Sequence, residues 1–392
     1  MSIGTTTRES PRTINKRAVL NSIRREGPTS RADLARQLKL SKVTISSVVD
    51  DLLESGLVVE QGAQDASPRG GRKPIPIALN DNAGFVIGAD IGTTNMVVAA
   101  GNLRGAIVDE VRSTTIPSHQ LSDVIDQFSG QISSLLAGTG LSSDELLGVG
   151  VSTAGLVERP AGFVKLSSEF LWHDVPLQNV LAERIGHPVV IDNCTRAMAL
   201  GEIYYGEAFQ SETVFYVNVG YGIGSAIVIN GGMYDGHSEF GHTIIRESEE
   251  RCNCGKYGCL TTLASGHAIE RMANGSLQTK GEGWITAEEV ARMASDGDDK
   301  AREIYRMAGN DLGRGLAIAA NLLNPDRIVV GGGVAQAGEC FMDPLCETFG
   351  SSVMRAIRED LQIQVSKLGM EAGLLGAVAL ALNTSIFQVA RR

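Results

Sequence analysis

A chain of 392 residues, 43% hydrophobic and carrying a net charge of −10, has room for two or three globular domains and no disordered or fibrous bias. No apolar run approaches the roughly 18 residues that a membrane span needs. Met1 to Arg12 is polar, without the apolar core of a secretory signal, so a cytoplasmic protein with no membrane partner is expected.

The charge is unevenly placed. Residues 1–80 hold 13 Lys and Arg against 8 Asp and Glu, which leaves −15 for the remainder. A small basic head on an acidic body predicts that only the head meets a polyanion. In that head, Asn15 to Glu26 reads as a helix with Val19, Leu20 and Ile23 at helical spacing, closed by Gly27-Pro28. Ser30, with Asp33 three residues on, opens a short helix through Leu34, Ala35 and Leu38. Ser41 is the next cap, and its helix carries Val43, Ile45, Val48, Val49, Leu52 and Leu53 as an apolar face.

Two short helices joined by a tight turn form a helix-turn-helix. Ser41, Lys42, Thr44, Ser46 and Ser47 then lie at the exposed start of its second helix, where base edges are met in the major groove. Strands over Leu57 to Gln61 and Ile75 to Leu79 flank a polar loop that reads as a wing. Its tip, Arg69-Gly70-Gly71-Arg72-Lys73-Pro74, combines glycines that let backbone enter a minor groove with arginines drawn to its potential. The expected partner is double-stranded operator DNA.

After Asn80 strands and helices alternate. Phe85 to Ala89 is a strand ending in Asp90-Ile91-Gly92-Thr93-Thr94-Asn95, and Met96 to Ala100 returns. Such a turn suits phosphate contact through backbone N–H groups, although plain turns use the same residues. Ala106 to Thr115 is a third strand, Leu121 to Leu136 a helix and Leu147 to Ser152 a buried strand. The pattern then repeats: Val214 to Val219, the turn Gly220-Tyr221-Gly222-Ile223-Gly224, and Ser225 to Ile229.

Next comes a metal-like run. Glu239-Phe240-Gly241-His242 is followed by Cys252-Asn253-Cys254-Gly255 and Cys259, one imidazole and three thiols in about two dozen residues. That set suits a tetrahedral structural Zn(2+), with no open position for a reacting water. Cys194, Cys340 and Cys346 are scattered, which argues against a disulfide framework. Finally Ile328 to Val330 leads into Gly331-Gly332-Gly333, and a last helix is expected near Leu374 to Leu382.

The expected fold is α/β: an N-terminal winged helix-turn-helix followed by a two-lobed actin-like (ribonuclease H-like) sugar-kinase fold. The expected domains are 1–81 for the head, 82–205 for the first lobe, completed by 372–392, and 206–371 for the second lobe with the zinc site.

Glu239-Phe240-Gly241-His242, the Cys-x-Cys-Gly-x-x-Gly-Cys run and Asp90-Ile91-Gly92-Thr93 resemble the ROK family of repressors and sugar kinases, over roughly Asn15 to Leu382. With the winged head attached, the chain is similar to the xylose- and N-acetylglucosamine-responsive repressors. The resemblance implies a sugar effector held by Asn193, Glu239 and His242, with Ser152 to Gly155, Trp172, His173 and His267 as neighbours. His242 would serve metal through one ring nitrogen and sugar through the other.

The family's kinases read Glu-Asn-Asp-Ala-Asn where this chain has Asp192-Asn193-Cys194-Thr195-Arg196, which puts Cys194 in the place of the catalytic Asp. Phosphoryl transfer needs a carboxylate there to take the hydroxyl proton, and a thiol of pKa about 8.5 is a poor substitute. On an extended strand Asp192 would face away from Cys194's side. Thr93 and Tyr221 also depart from the family's hairpins, so ATP is not expected. These implications describe a sugar-responsive repressor that is not an enzyme, working as a homodimer or tetramer. A functional sugar kinase, or a regulator released from DNA by a transport protein, are the alternatives.

Overall fold

A computed structural model describes residues 10–62, 75–118, 120–208, 211–277, 283–359 and 361–387. The chain divides into two compact units, 1–192 with 377–392, and 193–376. In this division the head, expected at 1–81, falls with the first lobe.

The head opens with α1 (Pro11–Glu26), which begins earlier than the apolar spacing suggests because Ser10 caps it and Pro11 starts it. Strand β1 (Thr29–Ser30) leads to α2 (Arg31–Gln37), capped by Ser30, whose Oγ accepts from Asp33 N at 3.2 Å. Lys39 takes a left-handed φ of 54° in the turn before α3 (Lys42–Glu54). Strands β2 (Val58–Glu60) and β3 (Pro76–Leu79) pair antiparallel, and β1 adds to β3. This is the winged helix-turn-helix arrangement. The wing tip, Arg69, Gly70, Gly71, Arg72 and Lys73, lies outside the described residues.

Why the head joins the first unit is visible in its core. Val19, Leu20, Ile23, Ile45, Val48, Val49 and Leu52 form one buried cluster with Val86, Val378, Ala381, Leu382 and Phe387. Asn21 Nδ2 donates to the Phe387 carbonyl at 2.9 Å, and the Arg24 guanidinium lies 5.1 Å from the Phe387 ring centroid. Deleting the apolar C-terminus would thus open the head's own core.

The rest of the first unit is a sheet in the order β11-β7-β4-β5-β6, from β4 (Phe85–Ile91), β5 (Asn95–Gly101), β6 (Ile107–Thr114), β7 (Leu146–Thr153) and β11 (Val189–Asn193). Strands β4, β5 and β6 form an antiparallel meander, and β7 runs parallel to β4. Helices α4 (Leu121–Thr139) and α5 (Leu177–Ile185) cover the sheet with Phe128, Ile132, Leu177 and Leu181. A small sheet of β8 (Leu156–Glu158), β9 (Phe163–Ser167) and β10 (Trp172–Val175), absent from the sequence reading, lies between β7 and α5 in the chain.

In the second unit, α6 (Cys194–Tyr205) precedes β12 (Val214–Val219), β13 (Ile223–Ile229) and β14 (Gly232–Met233). Short α7 (Leu260–Ala264), α8 (Gly266–Ser276), α9 (Ala287–Ser295) and the 25-residue α10 (Asp299–Leu323) follow. Strand β15 (Arg327–Gly331), α11 (Glu339–Ser352), α12 (Arg355–Arg358), β16 (Gln362–Val365) and α13 (Ala372–Leu382) complete the order. The sheet runs β14-β13-β12-β15-β16, with β13 antiparallel and β15 parallel to β12. It repeats the order of the first: a three-stranded meander, then a parallel strand beside its first member and one further strand at the edge. A duplicated sheet of this order is the actin-like architecture expected.

One expectation about apolar runs needs correction. The segment Gly369–Phe387 is long and apolar enough, by length and composition, to cross a bilayer. However, 67% of its most apolar window is buried inside the protein, so core packing accounts for its composition.

Candidate functional site

The metal-like run folds as sequence spacing predicts. Phe240 to His242 makes one 3-10 turn, bringing the imidazole back toward the loop carrying Cys252 and Cys254. Bridges Ile244 to Cys259 and Arg251 to Tyr257 close that loop. Gly258 permits the closure: it has φ 75°, and a Cβ there would lie 1.9 Å from the Arg246 carbonyl oxygen.

The ligand atoms of His242, Cys252, Cys254 and Cys259 all lie within 4.8 Å of one another. His242 Nδ1 is 3.4 Å from Cys252 Sγ, and the Cys254 and Cys259 sulfurs are 3.5 Å apart. The edges of a tetrahedral zinc site are about 3.6 Å (N to S) and about 3.8 Å (S to S), from ordinary bond lengths. Burial, then the adjacent Cys254 and Cys252 thiols, push the Cys259 thiol up to about 12, whereas the Lys256 backbone N–H holds Cys254 below the usual thiol value. Three thiols gathered with an imidazole, one of them resisting ionisation for want of a counter-charge, form a site that can hold a metal ion. All six cysteines are free of disulfides.

The segments that carry the residues expected to hold sugar lie against the start of β13. Thr195, in the first turn of α6, abuts Gly224, where a Cβ would lie 2.2 Å from Thr195 Oγ1. Ser225 Oγ meets Ser238 Oγ at 2.6 Å, and the Ile223 carbonyl lies against Gly241. Asn193 and the Glu239 to His242 turn therefore flank the same three residues. Glu239 is exposed and His242 half-buried. Asn193 has a structural task as well: its Oδ1 caps α6, accepting from Thr195 N at 2.9 Å and Arg196 N at 3.3 Å.

That cap corrects the strand argument about Asp192. Cys194 is the first residue of α6, not part of an extended strand, so alternation does not separate the two side chains. Asp192 is 4% exposed and forms an ion pair with Arg159, whose Nε lies 3.5 Å away. Trp172 is buried and stacked on Phe170 with ring centroids 4.4 Å apart, a core role in place of a ligand contact. His173 is exposed, and Ser152 donates to Asp90 Oδ1 at 2.7 Å.

The second Gly-rich turn is occupied by its own chain. Gly266 N donates to the Gly220 carbonyl at 2.7 Å and His267 N to the Tyr221 carbonyl at 3.2 Å. Thus the first N–H groups of α8, which could otherwise face a phosphate, are consumed. Tyr221 is 73% exposed and lies against His267 with ring centroids 4.9 Å apart.

In the head, Ile45, Val48, Val49 and Leu52 of α3 are buried, but Val43 is 80% exposed. Its expected place on the apolar face is wrong: the side chain points to solvent beside Lys42 and Ser47. Ser41 and Thr44 serve the cap, their hydroxyls 2.8 Å apart and Ser41 Oγ accepting from Thr44 N at 3.0 Å. Arg31 takes up the next turn, donating to Asp50 Oδ1 at 2.7 Å and to the Ser46 carbonyl at 3.2 Å. Lys42 and Ser47 remain exposed.

Comparison with known proteins places this geometry. The ROK family is matched over residues 86–384, most of the chain. This chain belongs to the ROK family. Residues 12–72 match the MarR family. This ROK protein is 28% identical over 383 residues to a xylose repressor of Caldicellulosiruptor bescii, spanning 94% of this chain and 96% of that one. A glucokinase of Halalkalibacterium halodurans is 31% identical over 307 residues, spanning 74% of this chain and 93% of the glucokinase. A solved ROK family transcriptional regulator, a homolog of the Escherichia coli MLC protein, superposes with a TM-score of 0.84 at 25% identity. That superposition spans 96% of this chain and 97% of the regulator.

Proposed function

We infer that this ROK protein is a sugar-responsive transcriptional repressor of carbohydrate-utilisation genes. The observation that carries the reading is the union of a MarR-like head and a ROK body in one chain, shared end to end with a xylose repressor. The head takes operator DNA through the first turns of α3 and through the wing tip Arg69 to Lys73. Asn193, Glu239 and His242 take a sugar or sugar phosphate, with the Glu239 carboxylate accepting from paired hydroxyls. The metal held by His242, Cys252, Cys254 and Cys259 is Zn(2+) in a structural role, since four protein ligands leave no position open. It fixes the imidazole that faces the sugar.

Two copies, or two pairs, present their heads to a pseudo-palindromic site in the cytoplasm. Sugar binding changes the spacing of the heads, so occupancy falls. Linkage then requires DNA to weaken sugar binding by the same factor. The kinase alternative is disfavoured by Cys194 in the position of the family's catalytic Asp, with the adjacent Asp192 already paired to Arg159.

A duplex selected from a random library by the full-length protein, titrated by mobility shift against xylose, N-acetylglucosamine, glucose and their phosphates, tests the reading. At least one compound should weaken binding tenfold or more. If none changes affinity while sugar-dependent ATP turnover is found, the kinase reading replaces this one.

A further inference from the structure

We propose that Val43 reads sequence: its methyl groups pack on the 5-methyl of a thymine in the operator's major groove. The proposal rests on the DNA-binding reading above and adds a base-specific contact to it. Val43 is 80% exposed, against 43% for Ile14, 38% for Val59 and 39% for Ile75, the other exposed large aliphatic residues among the described residues of the head. Nothing local calls for valine there, because a β-branched residue in the first turn of a helix adds less to its stability than Ala, Glu or Lys would.

Its position explains it better. Val43 is the second residue of α3, three and four residues before Ser46 and Ser47, so the three share one face. Ile45, Val48, Val49 and Leu52 hold the opposite face in the core. The N-terminal turn of the second helix is the part of a helix-turn-helix that meets base edges. Further along, Asp50 is paired with Arg31 and Asp51 with Arg12 and Lys16. Carboxylates at that turn disfavour approach to phosphates, which confines base contact to the first turn and a half. Lys42, beside Val43, supplies the phosphate contact. Among the groups displayed in the major groove, the thymine methyl is the apolar one that an aliphatic side chain matches.

The test uses the full-length protein and a duplex it selects from a random library, with each thymine replaced singly by deoxyuridine. At one position per half-site the replacement should weaken wild-type binding about fourfold, the effect of one methyl left unburied. Val43→Ala should bind the thymine duplex correspondingly weaker. It should no longer distinguish thymine from uracil at that position, while the other positions respond as before. Val43→Ser, which removes both methyl groups and adds a hydroxyl, should behave like Val43→Ala. Neither change should lower the melting temperature of an exposed site. Equal responses of wild type and Val43→Ala to every replacement would overturn the proposal. Selection of no duplex at all would overturn the DNA-binding reading and this contact with it.

Discussion

The two sheets share one topology but hold their first turns by different means. Asp90 and Asn218 are counterparts, each the penultimate residue of the central strand. Asp90 lies opposite Val97 and Ser152, and Asn218 opposite Gly224 and Gly331. The turn after Asp90 is tied down from within its own sheet: Thr115 Oγ1 donates to the Gly92 carbonyl at 2.6 Å, and Thr115 N to the Thr94 carbonyl at 2.9 Å. The turn after Asn218 is clamped by a segment far along the chain. Ile223 N donates to Thr261 Oγ1 at 3.2 Å, and Gly266 N to the Gly220 carbonyl. Thr261, in α7, and Gly266, at the start of α8, follow Cys259, the last residue of the His and Cys cluster, within seven residues. One turn is therefore held from a neighbouring strand, the other from the segment that follows the His and Cys cluster.

Breaking the metal loop should separate the two most strongly. Cys259→Ala removes a fully buried ligand, and the metal content should drop from about one ion per chain to none, measured by elemental analysis. Amide exchange at Ile223 and Gly266 should rise at least tenfold, as local opening becomes easier, with Gly92 and Thr115 unchanged. Equal loosening of both turns would mean that the loop braces the whole protein and that the contrast is false.

Thr115→Val is the reciprocal change. It removes the hydroxyl that donates to the Gly92 carbonyl and leaves that acceptor unmet, at a cost of about 1–2 kcal/mol. For a unit of this size the melting temperature should fall by roughly 4 °C, with exchange faster at Gly92 and unaltered at Ile223. Loosening at Ile223 instead would overturn the independence of the turns.

These ties show which parts of the molecule were legible from residues alone. Caps, turns and periodic helices were, because Ser30, Ser41 and Gly27 act on chain next to themselves. The gathering of His242, Cys252, Cys254 and Cys259 was legible because an imidazole and three thiols at that spacing suit one tetrahedral ion. Val43 was misplaced because an apolar residue in a helical run looks like core, and only tertiary packing reveals which face is turned outward. The strand argument for Asp192 failed because Asn193 is a cap, a role its amide plays as readily as sugar binding. The small sheet of β8 to β10 and the clamp by Thr261 were invisible, since neither short irregular strands nor a hydroxyl meeting a distant N–H leaves a periodic signal.

The smallest effect concerns the counterparts themselves. Asp90 is partly buried, and burial, outweighing the hydrogen bond from Ser152, pushes its carboxyl above the usual carboxylate range. A carboxyl raised in the folded state contributes stability below its unfolded value, and that contribution is lost as pH rises through the folded value. At neutral pH the ionised Asp90 is thus a net cost, which the neutral Asn218 of the other sheet does not incur. Asp90→Asn keeps an oxygen to accept from Ser152 and should raise the melting temperature at pH 7.5 by about 2 °C, the response to roughly 1 kcal/mol or less. The difference from wild type should shrink as pH falls toward the ordinary carboxylate value. Were the variant less stable at pH 7.5, or the gap constant with pH, the Asp90 charge would have a positive use, such as holding a cation or a ligand's donor groups. The first turn would then have kept a binding task that the second, filled by Tyr221 and the start of α8, has given up.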